Sequence, residues 1–297
     1  MNVVEVSNIA KSFGDVQAVQ DASFNIEKGE IFGLLGPNGA GKTTTIRIML
    51  DIFKPDRGTV SILDGPMSEE KKARIGYMPE ERGLYQDIKL EDCLLYLATL
   101  KGVQEKDALA RLEEYLERFD LTEYKKKKIK ELSKGMQQKA QIINTILHQP
   151  ELLIIDEPFN ALDPVNVQLV KDLMLDLRDQ GVTIIMSTHQ MHLVEELCNR
   201  ILLINKGKNV LHGVLGDIQN QFKGNAVIAR IEGNLPVIQG VHEVQSNGRD
   251  MKLLLDEGTT PQEIFQELAA KQIALEKFEV AIPSLDEIFI RVVEGGK

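Results

Sequence analysis

Tryptophan is absent from this chain of 297 residues, and aromatic residues of any kind make up only 5% of it. That scarcity argues against an extracellular surface built to grip sugars or peptides. Cysteine is scarce too: Cys93 and Cys198 form no metal-ligand spacing, and both sit in apolar, helix-like stretches where core packing is the expected role. Long apolar runs are missing. The longest aliphatic ones, 152–155 and 201–204, fall far short of the roughly 18 residues that span a bilayer. The amino-terminal MNVVEVSNIAKSF lacks a basic region followed by an apolar run, so no signal peptide is expected. Positive charge is in deficit, with 35 Lys and Arg against 45 Asp and Glu and a net charge of −10. A broad nucleic-acid grip needs a basic stripe to displace counterions, so that class of partner is set aside. Solubility is the simpler role of the acidic balance. The expected setting is the cytosol or the cytosolic face of a membrane.

What is present reads as an α/β protein. Hydrophobic residues at 43% and charged residues at 27% are an ordinary globular balance, and the length suits two domains. Apolar runs at 30–35, 152–155 and 182–186 alternate with amphipathic helices, which predicts parallel strands covered on both faces. Residues 3–6, 22–26 and 59–63 predict a smaller antiparallel sheet, with turns at Lys28-Gly29 and Asp64-Gly65. From about 88 to 149 the pattern is helical only, with Ala108, Leu112, Tyr115, Leu116 and Phe119 at helical spacing. A composition shift near 213–224 divides a first domain, 1–215, from a small α+β domain, 216–297. The second has strand patterns at 226–231 and 251–255. It also has helix starts at Thr260-Pro261-Gln262-Glu263 and Ser284-Leu285-Asp286-Glu287. The lysines at 125–128 read as a solvated turn.

Chemistry enters at Gly36-Pro37-Asn38-Gly39-Ala40-Gly41-Lys42-Thr43, a phosphate-loop pattern between a buried strand and a helical stretch. Its glycines let successive N–H groups point at phosphate oxygens, and the following helix turns its positive end toward them. Lys42 is placed to reach the β- and γ-phosphates and the Thr43 hydroxyl to ligate Mg2+, with Thr44 counted in the same binding set. Downstream, the run at 152–155 ends in Asp156 and Glu157. Two acids at an apolar strand tip are costly unless used. Asp156 suits Mg2+, and Glu157 suits the residue that deprotonates an attacking water.

Leu132-Ser133-Lys134-Gly135-Met136-Gln137-Gln138 resembles the signature of the ABC ATPases, with Lys134 and Met136 replacing the commonest residues. The resemblance implies a P-loop NTPase fold with an antiparallel β subdomain and a helical insert, binding ATP and Mg2+. In that family Ser133 and Gly135 touch the γ-phosphate of ATP held by a second ATPase subunit, the same chain or a related one. Ser133 can also cap the helix that follows. Asp163, in Ala161-Leu162-Asp163, matches the loop coupling two such sites, and His189 matches the switch histidine at γ-phosphate. The other histidines, His148, His192, His212 and His242, are read as structural. Phe13 matches the aromatic that stacks on adenine, with core packing as its rival. Where the family usually has a glutamine that binds Mg2+ and touches the membrane partner, this chain has Glu80.

The stretch PEERGLY, the signature and the tail Pro283-Ser284-Leu285-Asp286-Glu287-Ile288-Phe289 together resemble type-2 ABC exporters, especially the sodium-efflux (NatA-like) group. The implied function is ATP hydrolysis driving a separate polytopic membrane permease, with Na+ as cargo. A drug or peptide efflux ATPase is the alternative, and a soluble non-transport ABC ATPase a further one.

Overall fold

The computed structural model describes residues 1–81, 83–223, 225–231 and 235–294. Arg82, within PEERGLY, and Gly224, at the end of the composition shift, lie outside them. The chain divides into two compact units, Met1–Leu215 and Gly216–Lys297.

The first unit begins with β1 (Asn2–Phe13), β2 (Val16–Glu27) and β3 (Ile31–Leu35), then α1 (Lys42–Met49), β4 (Arg57–Ile62), α2 (Glu69–Ala73) and β5 (Ile75–Met78). The helical part follows as α3 (Leu90–Leu100), α4 (Glu105–Arg118) and α5 (Lys134–Ile146). Then come β6 (Leu152–Asp156), α6 (Pro164–Asp179), β7 (Thr183–Thr188), α7 (Met191–Leu197), β8 (Arg200–Asn205) and β9 (Lys208–Val214). The strands form one sheet in the order β4-β1-β2-β9-β8-β3-β7-β6-β5.

Every residue of β3, β6 and β7 is buried, as parallel strands under helices on both faces require. The strands β1, β2 and β4 pair antiparallel, as residues 3–6, 22–26 and 59–63 predict. They are also continuous with the parallel core, because β9 folds back antiparallel on β8 and offers its free edge to β2 at Asp21↔Lys208. In the helical part, Ala108, Leu112 and Leu116 form the buried stripe of α4, while Tyr115 is only half-buried.

Register decides where function can sit. Leu35 pairs with Thr188, Asp156 with Ser187 and Met78 with Ile155, so the carboxyl ends of β3, β7, β6 and β5 lie side by side. That edge of a parallel sheet is where α/β folds place ligands.

The second unit follows α8 (Leu215–Gln221) with β10 (Ala226–Ile231), β11 (Val241–Asn247), β12 (Asp250–Leu255), α9 (Pro261–Ala270), β13 (Leu275–Val280) and α10 (Leu285–Glu294). Its antiparallel sheet has the order β11-β12-β10-β13. Ile264 and Leu268 of α9 pack on Val227, Ala229, Leu253 and Leu255. Thr260 and Glu263 form a reciprocal capping box with Pro261 in the first turn, and Ser284 accepts from the Glu287 N–H at 3.2 Å.

One half-buried histidine makes the first unit sensitive to acid. His148 donates through Nε2 to the Ile75 carbonyl at 3.2 Å. Burial, reinforced by the Lys101 ammonium, lowers its imidazole from 6.5 to about 4. Above the unfolded value both states are neutral and the residue contributes no pH dependence. As pH falls from about 6.5 to 4 the unfolded chain takes a proton that the folded chain refuses, so stability is lost. Denaturant midpoints measured at pH 7 and pH 5 are expected to fall less for His148→Gln than for the parent protein.

Candidate active site

The loop between Leu35 and α1 is shaped by glycines that admit no substitute at two points. Gly36 (φ 147°) lies so close to the neighbouring strand that a Cβ would sit 2.2 Å from the Ile204 carbonyl oxygen. A Cβ on Gly41 (φ 111°) would sit 2.4 Å from the Ala18 carbonyl. Gly41 is also the N-cap of α1, and no side chain caps that helix. The first N–H groups of α1, which have no intrahelical partner, therefore face the loop. No acidic residue occupies its first turn.

Lys42 is buried, and its ammonium donates to the carbonyls of Gly36 at 2.7 Å and Pro37 at 3.3 Å. Burial holds its pKa below the usual lysine value, opposed by the charges of Glu157, Asp156 and Glu80. Thr43 Oγ1 donates to Asp156 Oδ2 at 2.9 Å, and Asp156 Oδ1 accepts from the Ser187 hydroxyl.

Glu157 sits one residue past the end of β6 with φ of 53°, uncommon for a residue with a side chain. Its N–H donates to the Ser187 carbonyl at 3.0 Å. Its carboxylate accepts from Thr188 Oγ1 at 3.0 Å and the His189 N–H at 3.1 Å, and lies 2.8 Å from His189 Nδ1. The sequence pattern alone does not single out Ser187 and Thr188. Their hydroxyls in fact fasten both carboxylates, and the signal that could have flagged them is two hydroxyl residues closing a wholly buried strand.

A cavity of about 950 Å³ opens here, lined by Asn38 to Thr44, Glu80, Asp156 and Glu157. Gly36 and Pro37 stand behind it and hold Lys42. His189 reaches it through Glu157. Phe13 is not among the lining residues: its ring is turned edge-on to Phe53, 5.4 Å between centroids, and is 46% exposed. Its neighbours Ser12, Gly14 and Val16 line the cavity instead. Ser133, Gly135 and Asp163 do not line it either. Ser133 accepts from the Met136 N–H at 3.2 Å and caps α5, and Asp163 accepts from the Asn166 N–H at 3.0 Å and caps α6. A Cβ on Gly135 would lie 3.2 Å from the Ala161 carbonyl, so these two corners abut each other.

A glycine loop leading into an uncapped helix, beside paired carboxylates at the end of a parallel strand, defines a phosphate-loop nucleotide-hydrolysing domain. Residues 19–160 match the ABC transporter family, and residues 213–293 match the family described as the ATP-binding protein DrrA1-3-like C-terminal domain. An uncharacterized ABC transporter ATP-binding protein, YhaQ of Bacillus subtilis, is 42% identical over 98% of both chains. The linearmycin resistance ATP-binding protein LnrL of the same species is 31% identical over 98% of both. The ABC transporter ATP-binding protein NatA, again of B. subtilis, is 33% identical over 72% of this chain and 90% of its own. A solved structure of the ATP-binding subunit of an ABC transporter superposes with a TM-score of 0.70 at 32% identity, covering 74% of this chain and 93% of that one. The chain belongs to the ABC transporter ATP-binding proteins, and it is an ATPase subunit that binds and hydrolyses ATP in transport.

The close approach at Gly36 carries a direct test. Gly36→Ala is expected to push the loop off Ile204 and weaken ATP binding at least tenfold, read by titration with a fluorescent ATP analogue.

Proposed function

We propose that two such subunits, identical or related, close around two Mg·ATP and drive a separate membrane permease for export. The observation that carries this reading is the Thr43–Asp156–Glu157 arrangement in a cavity that Ser133 and Gly135 of the same chain do not line. A γ-phosphate held by Gly39 to Thr44 would leave its far side free for the signature corner of a second copy.

The donor set fits Mg2+. Thr43, Asp156 and Glu80 offer hard oxygen atoms around one cavity. Among the described residues no cluster of three or more His, Cys, Asp or Glu could cage a metal unaided. That suits an ion which keeps waters and shares the nucleotide's phosphates. Bound there, Mg2+ would neutralise phosphate charge. Lys42 would exchange its two loop carbonyls for phosphate oxygens. Glu157 would take the proton of the attacking water, and His189 would orient Glu157 and contact the γ-phosphate. Phe13 would stack on adenine after turning from Phe53 and from the Lys11 ammonium that lies over its ring.

Support for a membrane partner comes from exposed apolar side chains on the loop after Glu80 and on α3. Tyr85, Ile88, Tyr96 and Leu100 are all exposed, with the two tyrosine rings edge-on at 6.4 Å. Among the described residues no helix is long and apolar enough to cross a membrane, so the permease would be another chain. The subunit would then sit at the cytosolic face. Na+ is the cargo suggested by the likeness to NatA. Drug efflux is the second reading, favoured because the linearmycin resistance relative matches 98% of this chain whereas NatA matches 72%.

Removing a positioned general base typically costs about 10²–10⁴ in rate. Glu157→Gln is therefore expected to bind ATP, lose hydrolysis by that factor and elute as a dimer in Mg·ATP on gel filtration; near-parent turnover would remove Glu157 from the role. Co-purification with the permease, followed by Na+ and drug efflux from vesicles, separates the cargo readings. In the same complex Glu80→Ala is expected to abolish stimulation of ATPase by the permease.

A further inference from the structure

Helix α5 runs from the Ser133–Gly135 corner into the protein interior, and it carries a buried amide that neither the fold's core nor the chemistry above uses. Gln141 is 3% exposed. Its Nε2 donates to the Pro79 carbonyl at 2.9 Å and to the Glu81 carbonyl at 3.3 Å. These are the two carbonyls that flank Glu80. Both partners are acceptors, so the amide has to present its NH2 group to them, and the orientation is fixed by chemistry. The other end, Oε1, is buried and has no hydrogen-bond partner among the described residues. Leaving a buried acceptor without a donor is costly, so packing alone favours an apolar side chain here. What the amide supplies in return is a two-point clamp on the chain either side of Glu80.

The clamp belongs to a set. One turn earlier on the same face of α5, Gln138 Nε2 donates to the Pro158 carbonyl at 3.1 Å, just after Glu157. Lys139 Nζ reaches Asn166 Oδ1 at 3.2 Å, on the turn capped by Asp163. Gln138 grips the segment after Glu157, whose carboxylate Thr188 and His189 already fasten, whereas Gln141 grips the segment that carries Glu80, which lines the cavity with Asp156. Glu80 lies on a loop between Met78 and α3, outside any helix or strand.

We propose that Gln141 is a positioning residue for Glu80: from the helix that starts at the signature corner, its amide grips both carbonyls around Glu80 and holds that carboxylate at the metal of bound Mg·ATP. This rests on the reading of Glu80 as a metal contact. Groups that orient metal ligands typically change metal affinity by 10–100-fold when removed. A merely structural amide would alter stability and leave metal affinity alone.

The test uses the full chain carrying Glu157→Gln, loaded with ATP so that turnover does not intervene, and Mn2+ titrated by electron paramagnetic resonance. Adding Gln141→Leu is expected to weaken protein-bound Mn2+ about tenfold while metal-free ATP affinity stays unchanged. Glu80→Ala should weaken Mn2+ as well, and Gln141→Leu should add nothing on that background. If Glu80→Ala weakens Mn2+ and Gln141→Leu does not, the positioning role is wrong and the Glu80 reading stands. If Glu80→Ala has no effect, both fall. A Gln141→Leu effect that persists without Glu80, or that equally weakens metal-free ATP, also overturns the proposal. Gln141→Met, closer in length, replaces leucine should that variant fail to fold.

Discussion

Two carboxylates buried at the tip of one strand are the constraint on which the rest of this site depends. Asp156 is 1% exposed and Glu157 4%, and neither touches an arginine or lysine within salt-bridge distance among the described residues. A buried ion left without partners costs several kcal/mol, so the surrounding elements have to supply donors. They come from three directions: Thr43 in the first turn of α1, Ser187 and Thr188 at the end of β7, and the backbone and ring of His189. The sheet register brings them there, because Asp156 pairs with Ser187 and Leu35 with Thr188. A slip of one residue between β6 and β7 would turn Ser187 to the opposite face of the sheet and strip Asp156 of its donor. The register of the core and the chemistry of the site are therefore one requirement.

The same requirement explains the backbone at Glu157. Its left-handed φ turns the carboxylate back over the end of β7 instead of letting it continue along the strand direction. Such conformations persist where surrounding contacts over-determine them. Here four hydrogen-bonding groups do so, three on the carboxylate and one on the N–H.

Much of this was legible in the residues alone, and the exceptions share a cause. The phosphate loop is a local pattern: glycine spacing, a preceding apolar run and a following helix lie within a short stretch, so its geometry follows from its order. Asp156 and Glu157 stood out because charge at the end of an apolar run is expensive. Ser187 and Thr188 did not, since their part depends on pairing with a strand some thirty residues away in sequence, and hydroxyls are common at strand ends. The joining of the antiparallel strands to the parallel core rests on a single pairing between Asp21 and Lys208, which no periodicity reveals. Phe13 shows a different limit. Its position at the end of β1 is readable, but whether its ring lies over a base or against Phe53 is a rotamer choice. Gln141 reads as one more polar residue on an amphipathic helix, and only the fold shows that it is buried with its donors on the loop around Glu80.

The charge inventory of the cavity carries the argument one step further. Its lining includes the carboxylates of Asp15, Glu80, Asp156 and Glu157 and the ammonium groups of Lys42 and Lys206, four acids against two bases. A triphosphate is itself a polyanion, so this lining alone would repel it. Positive potential from the exposed start of α1 offsets part of that, as the equivalent of roughly half an elementary charge. The remainder has to be imported. A divalent ion between the phosphates and the acids is one source, and donors from a second protein surface are another. In the proposed reading of Glu80 as a metal contact, its charge is met by that ion. On the proposed function, nucleotide binding, metal binding and the approach of a partner would all act on this one excess of acidic charge, which couples them.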